Sequence, residues 1–261
     1  MQERHKNRKK YFDEQASLTQ KYVLPFISEF VTIDTNTRVA EIGCGEAGNL
    51  KPFVDIGCWV DGYDLAANKI ANGNKFYSNH PNKANVHLYA TDIYEVTPTD
   101  EKKYDIIIMR DTIEHIPEQH KLMGHIKSLL ADNGKLFVGF PPWRMPFGGH
   151  QQMCRSFLSK VPYFHMLPKF LYVFILNVFG AKNQRKSLIE IYDTRISLNR
   201  FNRILKCRGY KVDKKQFYLI NPNYEIKFGM KPRKLPRILN IPWFRDFFIT
   251  TSYYLLSKHE N

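Results

Sequence analysis

Residues 39–49 read VAEIGCGEAGN, a short apolar run that contains one acid and continues into a glycine-rich turn. A buried parallel strand that runs into a nucleotide-binding loop has this form. Gly43, Gly45 and Gly48 stand in the order G-x-G-x-x-G, and glycine permits a positive φ and a close approach of the backbone to a ligand. A helix that begins near Gly48 would direct its free N–H groups at that ligand. Because the pattern alone occurs in many unrelated chains, its weight depends on the strands that come after it in the chain.

Four further segments have the composition of strands: residues 58–64, 85–92, 104–110 and 134–141. The first ends in Asp64, 21 positions after Gly43. A carboxylate at that distance lies at the tip of the neighbouring strand and accepts the ribose hydroxyls of a nucleotide. The second ends in Asp92, and the third is a continuous apolar run that ends at Arg110. With a helical stretch over residues 117–130, the alternation predicts a doubly wound parallel sheet.

Two families combine a glycine loop with a ribose-binding acid: the NAD-type dehydrogenases and the class I S-adenosylmethionine (SAM) methyltransferases. Glu41 resembles the acid that begins the methyltransferase motif, acid-x-Gly-x-Gly, and lies where the positive charge of SAM is close by. Asp92 followed by Ile93 resembles the adenine-binding acid and its apolar neighbour in that family. Residues 111–116, DTIEHI, resemble the segment after the fourth strand in methyltransferases of ubiquinone and menaquinone biosynthesis. The resemblance is specific over residues 37–142 and favours the methyltransferases.

The resemblance implies a Rossmann-like α/β fold. Its sheet is doubly wound, mostly parallel and seven-stranded with the last strand antiparallel, and a helical insert follows the fifth strand. SAM is the implied cofactor and S-adenosylhomocysteine (SAH) its product. The expected divisions are an N-terminal helical cap (1–36), the SAM-binding core (37–142), an insert over the substrate site (143–193) and a segment that completes the sheet (194–261). The residues expected at the cofactor are Glu41, Gly43, Cys44, Gly45, Asp64, Leu65, Asp92, Ile93 and Arg110.

Two histidines are the candidate catalytic residues. A sulfonium methyl group is already activated, so the enzyme mainly has to align the acceptor atom. A hydroxyl or an acidic C–H acceptor also benefits from a nearby base. His115 follows the fourth strand at the carboxyl edge of the sheet, where ligands bind in such folds. His150 follows the turn Phe147-Gly148-Gly149. For each histidine, a purely structural role is the alternative interpretation.

Composition sets further bounds. A chain of 261 residues that is 43% hydrophobic can bury one large core, or one core and a small insert. No apolar run reaches the roughly 18 residues that span a bilayer, and the charged N-terminus lacks the apolar core of a signal peptide. The four cysteines contain no C-x-x-C pair, so a reduced cytoplasm is the expected location, and neither a disulfide framework nor a metal site is expected. His150 and Cys154, four residues apart, are set aside as metal ligands because no second pair is visible.

The net charge of +14 is clustered in several basic stretches. Such a field attracts anions: nucleic acid, an acidic membrane surface or a phosphorylated substrate. A merely solvated surface is the alternative interpretation. Since no RNA-binding module is visible, nucleic acid is not the expected partner. An anionic small molecule or lipid-linked acceptor fits the charge better.

Residues 157–180 differ from the core because they are densely apolar and aromatic and are followed by a basic cluster, Lys182, Arg185 and Lys186. Three interpretations remain open: a lid packed over the active site, a peripheral contact with lipid, and a homodimer contact. The stretch shows no clean polar face, which favours burial. The lid interpretation therefore predicts that Phe170, Tyr172, Phe174 and Leu176 are all buried.

The sequence thus predicts a methyltransferase that acts on oxygen or carbon of a small acceptor or one linked to a lipid or glycan. Residues 140–143, FPPW, resemble the Pro-Pro-aromatic signature of amino-group methyltransferases. That signature follows the fourth strand, however, and here the residues follow the fifth, so methylation of nucleobase amines is not expected. The alternatives are an RNA methyltransferase, suggested by charge alone, and a SAM-binding protein without transfer activity and with a membrane or partner role.

Overall fold

The computed structural model describes residues 7–99, 103–154, 156–179 and 184–259. Within this part of the chain, eight strands form one sheet in the order β3-β2-β1-β4-β5-β8-β6-β7. Strands β1 to β5 are parallel, whereas β8 runs antiparallel between β5 and β6, and β7 is antiparallel to β6. The strands are β1 Arg38–Ile42, β2 Trp59–Asp64, β3 Val86–Ala90, β4 Tyr104–Arg110, β5 Leu130–Phe140, β6 Tyr210–Ile220, β7 Arg233–Lys234 and β8 Thr251–Lys258.

Strand β4 shows why the centre of the sheet forms. It reads YDIIIMR, and β-branched residues favour the pleated conformation. Ile107 and Met109 belong to the hydrophobic core on one face of the sheet, and Ile106 and Ile108 belong to the core on the other. A strand with apolar residues on both faces is typical of a parallel sheet that helices cover on both sides.

Helices lie between successive parallel strands, as the sequence predicts, except between β3 and β4, where the described residues form only the short helical turn Ile93–Glu95. A π-helical turn, Thr19–Val23, joins the first two helices. Helix α8 begins after Ser197, whose Oγ accepts a hydrogen bond from the N–H of Arg200, and the chain turns away at Gly209, which has a φ of +64°. The helices are α1 Arg8–Leu18, α2 Leu24–Ser28, α3 Lys51–Ile56, α4 Ala67–Phe76, α5 Gln119–Leu129, α6 Lys169–Phe179, α7 Arg185–Thr194, α8 Leu198–Cys207 and α9 Asn223–Phe228.

This architecture confirms the Rossmann-like α/β class and the antiparallel last strand. The expectation of seven strands is corrected to eight, because the two-residue strand β7 pairs with the end of β6. So short a strand has no hydrophobic alternation from which it could be predicted. Strand β8 lies inside the sheet, between β5 and β6, and β7 takes the edge.

The insert after β5 forms a small apolar cluster of its own. On α6, Tyr172 and Leu176 are buried in this cluster, whereas Phe170 and Phe174 are 78% and 61% exposed. The prediction that all four are buried is therefore wrong for Phe170 and Phe174. Residues two apart lie on nearly opposite sides of a helix with 3.6 residues per turn, so only one of the two apolar faces of α6 packs inward. The buried members of the cluster are Trp143, Cys154, Leu158, Phe164, Tyr172, Leu176, Leu188, Ile191 and Tyr192.

The described helices include none with the length and apolar character that crossing a membrane requires.

Candidate functional site

The glycine loop after β1 is tied to the end of β2. The backbone N–H groups of Gly43 and Cys44 both donate to the carbonyl of Tyr63, at 2.8 and 3.0 Å. The Cys44 thiol is buried, and burial raises its pKa. Its sulfur packs against Gly62, where an added Cβ would lie 2.9 Å from it. Cys44 therefore contributes its backbone to the loop, while its side chain belongs to the core.

The two glycines of the loop that have a positive φ, Gly43 and Gly45, have different surroundings. Gly43 has a φ of +72°, and a Cβ added there would lie 2.5 Å from Thr112 atoms, so this glycine permits the close packing of the loop on the segment after β4. Gly45 has a φ of +59°, and the nearest atom to an added Cβ is Cδ of Lys69, at 3.8 Å. Open space above Gly45 lets a ligand approach the backbone, which is the use of glycine in nucleotide-binding loops.

Asp64 faces this open space from the end of β2. One carboxylate oxygen accepts a hydrogen bond from the N–H of Gly45 at 2.9 Å, and the other accepts from the N–H of Ala66 at 2.8 Å. Each oxygen has a second lone pair that can accept from a ribose hydroxyl. The next residue, Leu65, is 75% exposed, so an apolar side chain stands beside the carboxylate with room for an adenine ring.

Asp92 occupies the corresponding position beyond β3. One of its oxygens accepts from the N–H of Tyr94 at 3.0 Å and begins a short helical turn, while Ile93 packs into the core below. Strand β3 pairs with β2 so that Ala90 lies opposite Asp64. Two parallel strands therefore bring both predicted carboxylates to the same edge of the sheet.

Glu41 is fully buried at the end of β1. The Nδ2 of Asn49 donates to one of its oxygens at 2.6 Å, and the other oxygen has no hydrogen-bond partner. Burial raises the pKa of Glu41 to about 8. Arg110, buried at the end of β4, donates to Oδ1 of Asn49 at 2.8 Å, and its positive charge favours the Glu41 carboxylate. The unpartnered oxygen leaves part of the acceptor capacity of the Glu41 carboxyl unused.

Helix α1 covers the glycine loop. The Nε of Arg8 donates to the buried Glu46 at 2.6 Å, and a Cβ added to Gly48 would lie 2.5 Å from the carbonyl oxygen of Phe12. The loop is therefore clamped between α1 and the sheet. The positive charge of Arg8 compensates the charge of the Glu46 carboxylate, which is entirely shielded from solvent.

The two predicted catalytic histidines lie together. The ring centroids of His115 and His150 are 5.2 Å apart with an interplanar angle of 65°. Burial lowers the pKa of His150 to about 4, with His115 contributing, and burial likewise lowers the pKa of His115. Both imidazoles are therefore neutral at pH 7 and able to accept a proton. His150 and Asp111 both have left-handed backbones, with φ of +56° and +52°, a strained conformation that is concentrated at functional sites.

Glu114 completes this cluster. It is fully buried, neither carboxylate oxygen has a hydrogen-bond partner, and burial together with Asp111 raises its pKa well above the ordinary value. Glu114, His115 and His150 each offer one ligand atom, and these atoms lie within 4.8 Å of one another. The group could hold a divalent cation, although the cation would have to displace the proton of Glu114. No metal site was expected from the sequence, and that expectation stays a prediction.

Sequence reasoning overlooked four polar residues of this region. Asn49 directly follows Gly48, and Glu46 lies within the loop, but their partners Arg110 and Arg8 come from β4 and α1. Asp111 and Glu114 belong to the quoted DTIEHI segment, where two acids beside a histidine were a usable signal. The structure places the predicted cofactor residues and His115 at or just beyond the carboxyl ends of the first four strands, and it places His150 in the insert. Their roles stay predictions.

The comparison with protein families decides between the two families that the loop left open. A family profile described as "Methyltransferase domain" matches residues 12–161, which is more than half of the chain. The chain belongs to this family, the class I SAM-dependent methyltransferases. The residues fit its cofactor: open space above Gly45, unfilled acceptor capacity on Asp64, and an unpartnered buried oxygen of Glu41 for a positive charge.

Curated relatives of this methyltransferase act on different atoms. The chain is 28% identical over 137 residues to a ubiquinone biosynthesis O-methyltransferase of Glaesserella parasuis. This alignment covers 50% of the chain and 58% of the relative. It is 26% identical over 112 residues to a sterol 4-C-methyltransferase of Caenorhabditis elegans, covering 43% of this chain and 33% of the relative. The methyltransferase thus spans only part of the length of these relatives.

Solved structures share the fold over most of the chain. A putative sarcosine dimethylglycine methyltransferase from Galdieria sulphuraria aligns with a TM-score of 0.62 at 15% identity, covering 92% of this chain and 85% of that one. A geranyl diphosphate C-methyltransferase from Streptomyces coelicolor aligns with a TM-score of 0.59 at 12% identity, covering 92% and 79%. At such low identity these structures establish the fold of the methyltransferase and leave its acceptor open.

The methyltransferase should bind SAM more tightly as the pH rises toward 8. A Glu41 pKa of about 8 means that the buried carboxyl is mostly neutral at pH 7. A cationic ligand beside it favours the carboxylate, so binding lowers this pKa and releases a proton. Below pH 8 the linkage should raise SAM affinity by up to about tenfold per pH unit. Calorimetry at pH 7 in buffers of different ionisation enthalpy measures the protons released.

The matched control is Glu41→Gln, which keeps the size of the side chain and cannot titrate. The amino group of SAM itself titrates near pH 8, so only the difference between the two proteins reports on Glu41. Equal proton release by the wild type and by Glu41→Gln would show that no positive charge of SAM approaches this carboxyl.

Proposed function

We propose that this methyltransferase transfers the methyl group of SAM to an oxygen or an acidic carbon of a small or lipid-linked acceptor, with His115 as the base. The observation that carries the proposal is the pair of neutral imidazoles beside the glycine loop. Thr112, against which Gly43 packs, directly precedes the short helical turn Ile113–His115. The charge of Lys69, the residue nearest to the open space above Gly45, also acts on His115. A base and a cofactor loop thus share one edge of the sheet.

The cofactor would be held by the residues at the ends of β1, β2 and β3. SAM supplies a methyl group that is already activated by a positively charged sulfur. Asp64 would accept hydrogen bonds from the ribose hydroxyls, Leu65 and Asp92 would flank the adenine, and Glu41 would provide negative charge once its proton leaves. Asn49 and Arg110 hold the Glu41 carboxyl in place from one side.

His115 is better suited to be the base than His150. His115 is an exposed residue, so an acceptor can reach it, although the protein around its ring is close enough to lower its pKa. His150 is half-buried, and its pKa is lowered to about 4. The Asp111 carboxylate raises the pKa of His115, against the effect of burial, and would stabilise the imidazolium formed when the ring takes a proton. His150 packs edge-to-face on His115, which supports a positioning role for His150.

A base is useful for hydroxyl and acidic C–H acceptors, which must lose a proton as the new bond forms. This supports O- or C-methylation over transfer to an amine. Two relatives, a ubiquinone biosynthesis O-methyltransferase and a sterol 4-C-methyltransferase, are named for the same chemistry, whereas a third is named as a phosphoethanolamine N-methyltransferase. The net charge of +14 favours an anionic acceptor, including one linked to a lipid or a glycan.

The experiment is release of SAH from SAM in the presence of separated acceptor pools. The purified protein is supplied with a lipid extract, a polar metabolite extract or total RNA. Each pool is prepared from cells that lack the protein. We expect SAH release with the lipid or the metabolite pool, and a product whose methyl group is bound to oxygen or carbon. Release with RNA alone would support the RNA alternative. A protein that binds SAM but releases no SAH with any pool would support the non-catalytic alternative.

A further inference from the structure

Helix α6 has an apolar face that the described part of the chain leaves uncovered. Phe170, Phe174 and Val178 follow one another at intervals of four residues and are 78%, 61% and 54% exposed. Tyr172 and Leu176 on the opposite side are buried in the insert. Apart from Lys169 and Asn177, the helix contains no polar residue. An ordinary surface helix carries polar side chains on its solvent face. An exposed apolar face of this kind indicates a surface that binds a partner.

The uncovered face continues beyond α6 in both directions. Phe157 is 61% exposed, and its ring contacts that of Phe179 at 5.5 Å between centroids. Tyr163, a few residues further on, donates a hydrogen bond to the carbonyl of Phe247 at 3.3 Å. Through this contact the insert reaches the loop before β8. The resulting surface, the aromatic face, consists of exposed residues from both segments: Phe157, Phe170, Phe174, Phe179, Trp243 and Phe244.

Basic residues border the aromatic face on two sides. Lys160, Arg185 and Lys186 are exposed on the insert. Arg233, Lys234 and Arg237 are exposed on the segment that leads into Trp243 and Phe244. Between Gly229 and Phe248 the only acidic residue is Asp246, which is fully buried. The insert also has two exposed acids, Glu190 and Asp193, and Asp193 pairs with Lys169 at the start of α6. The exposed basic residues outnumber these acids, so the border of the face has a net positive charge.

This combination of aromatic side chains and bordering positive charge fits one partner. We propose that the aromatic face docks the protein onto an anionic phospholipid bilayer. Aromatic side chains insert at the boundary of headgroups and acyl chains, and basic residues attract the anionic headgroups. A second copy of the chain fits less well, because pairing of two such faces would bring their basic borders together. The proposal goes beyond methyl transfer and does not depend on the identity of the acceptor.

Docking would place the active site near the membrane surface. Helix α7, which follows α6, contacts the turn that carries His115, and Thr194 at its end donates to the carbonyl of Glu114 at 2.5 Å. The insert thus has an inner side that borders the catalytic cluster and an outer side that would touch lipid.

The test is co-sedimentation of the full chain with vesicles of phosphatidylcholine alone or mixed with phosphatidylglycerol, at low and physiological salt. We expect binding to the anionic vesicles, partly weakened by salt. Phe170→Ser combined with Phe174→Ser should weaken this binding about tenfold or more, because the residues that enter the bilayer are lost. Since both side chains are exposed, the melting temperature should stay unchanged.

Arg233→Gln combined with Arg237→Gln should weaken binding to the anionic vesicles mainly at low salt, because salt screens the attraction of these charges in the wild type as well.

Phe30→Ser is the matched control, because Phe30 is an exposed phenylalanine that precedes β1 and lies outside the aromatic face. It should bind vesicles like the wild type. The proposal is overturned if the folded wild type fails to sediment with anionic vesicles at low salt, or if the Phe170/Phe174 double variant binds as well as the wild type. A concentration-dependent dimer without lipid that the double variant abolishes would overturn it too, in favour of a second copy as the partner.

Discussion

Replacement of Gly45 by valine is expected to abolish SAM binding and to leave the fold intact. The Cβ of any residue at this position points into open space beside Asp64 rather than into protein. A valine side chain would fill the volume that the ligand needs, and its branched Cβ conflicts with the φ of +59°. We expect a loss of affinity of roughly 100-fold or more, equivalent to about 3 kcal/mol. Calorimetry measures the affinity, and circular dichroism checks the fold.

Backbone strain has to be separated from obstruction of the ligand. Gly229 has a similar φ of +67°, and nothing lies within 4 Å of a Cβ added there. Gly229→Val therefore carries the same strain on the surface and should bind SAM normally, with a small loss of stability. Gly43→Ala should instead unfold the loop, because its Cβ would overlap Thr112. Normal SAM binding by Gly45→Val would mean that the ligand does not approach this loop.

Replacement of His115 by glutamine should lower kcat by about 10²- to 10⁴-fold and leave the SAM affinity nearly unchanged. Glutamine keeps a polar side chain of similar reach but cannot take the proton of the acceptor. The acceptor found by SAH release serves as the substrate. His80→Gln is the control, because His80 bonds to Asp55 on α3, outside the cluster, and its loss should not affect kcat.

Two results would count against His115 as the base. If His115→Gln keeps the kcat of the wild type, the histidine has a structural role only. If a chelator abolishes the activity of the wild type and a divalent cation restores it, then Glu114, His115 and His150 act as a metal site instead. A base predicts activity that is insensitive to chelation.

The fold and the outline of the cofactor site could be predicted because each rests on local sequence. Strand β4 is a continuous apolar run, and Asp64 and Asp92 follow strands that must end at the same edge of a parallel sheet. The class of fold and the location of the loop follow from these features and from the resemblance to one family.

The rest depends on long-range packing that no local pattern encodes. Arg8 and Glu46 pair across 38 residues, and Arg110 meets Asn49 across 61 residues. Helix α6 was misjudged for a different reason. Its periodicity reports only that both faces are apolar, and the exposure of Phe170 and Phe174 depends on which face the rest of the insert covers.

Calorimetric titration of the wild type and Asp64→Ala with SAM, and separately with NADH, tests the central claim most directly. The wild type should bind SAM with saturation and show no saturable binding of NADH. Asp64→Ala should lose about 1.5–3 kcal/mol of SAM binding free energy, because it removes charge-assisted hydrogen bonds to the ribose. Micromolar binding of NADH, or an unchanged SAM affinity in folded Asp64→Ala, would contradict a SAM site at the ends of β1, β2 and β3.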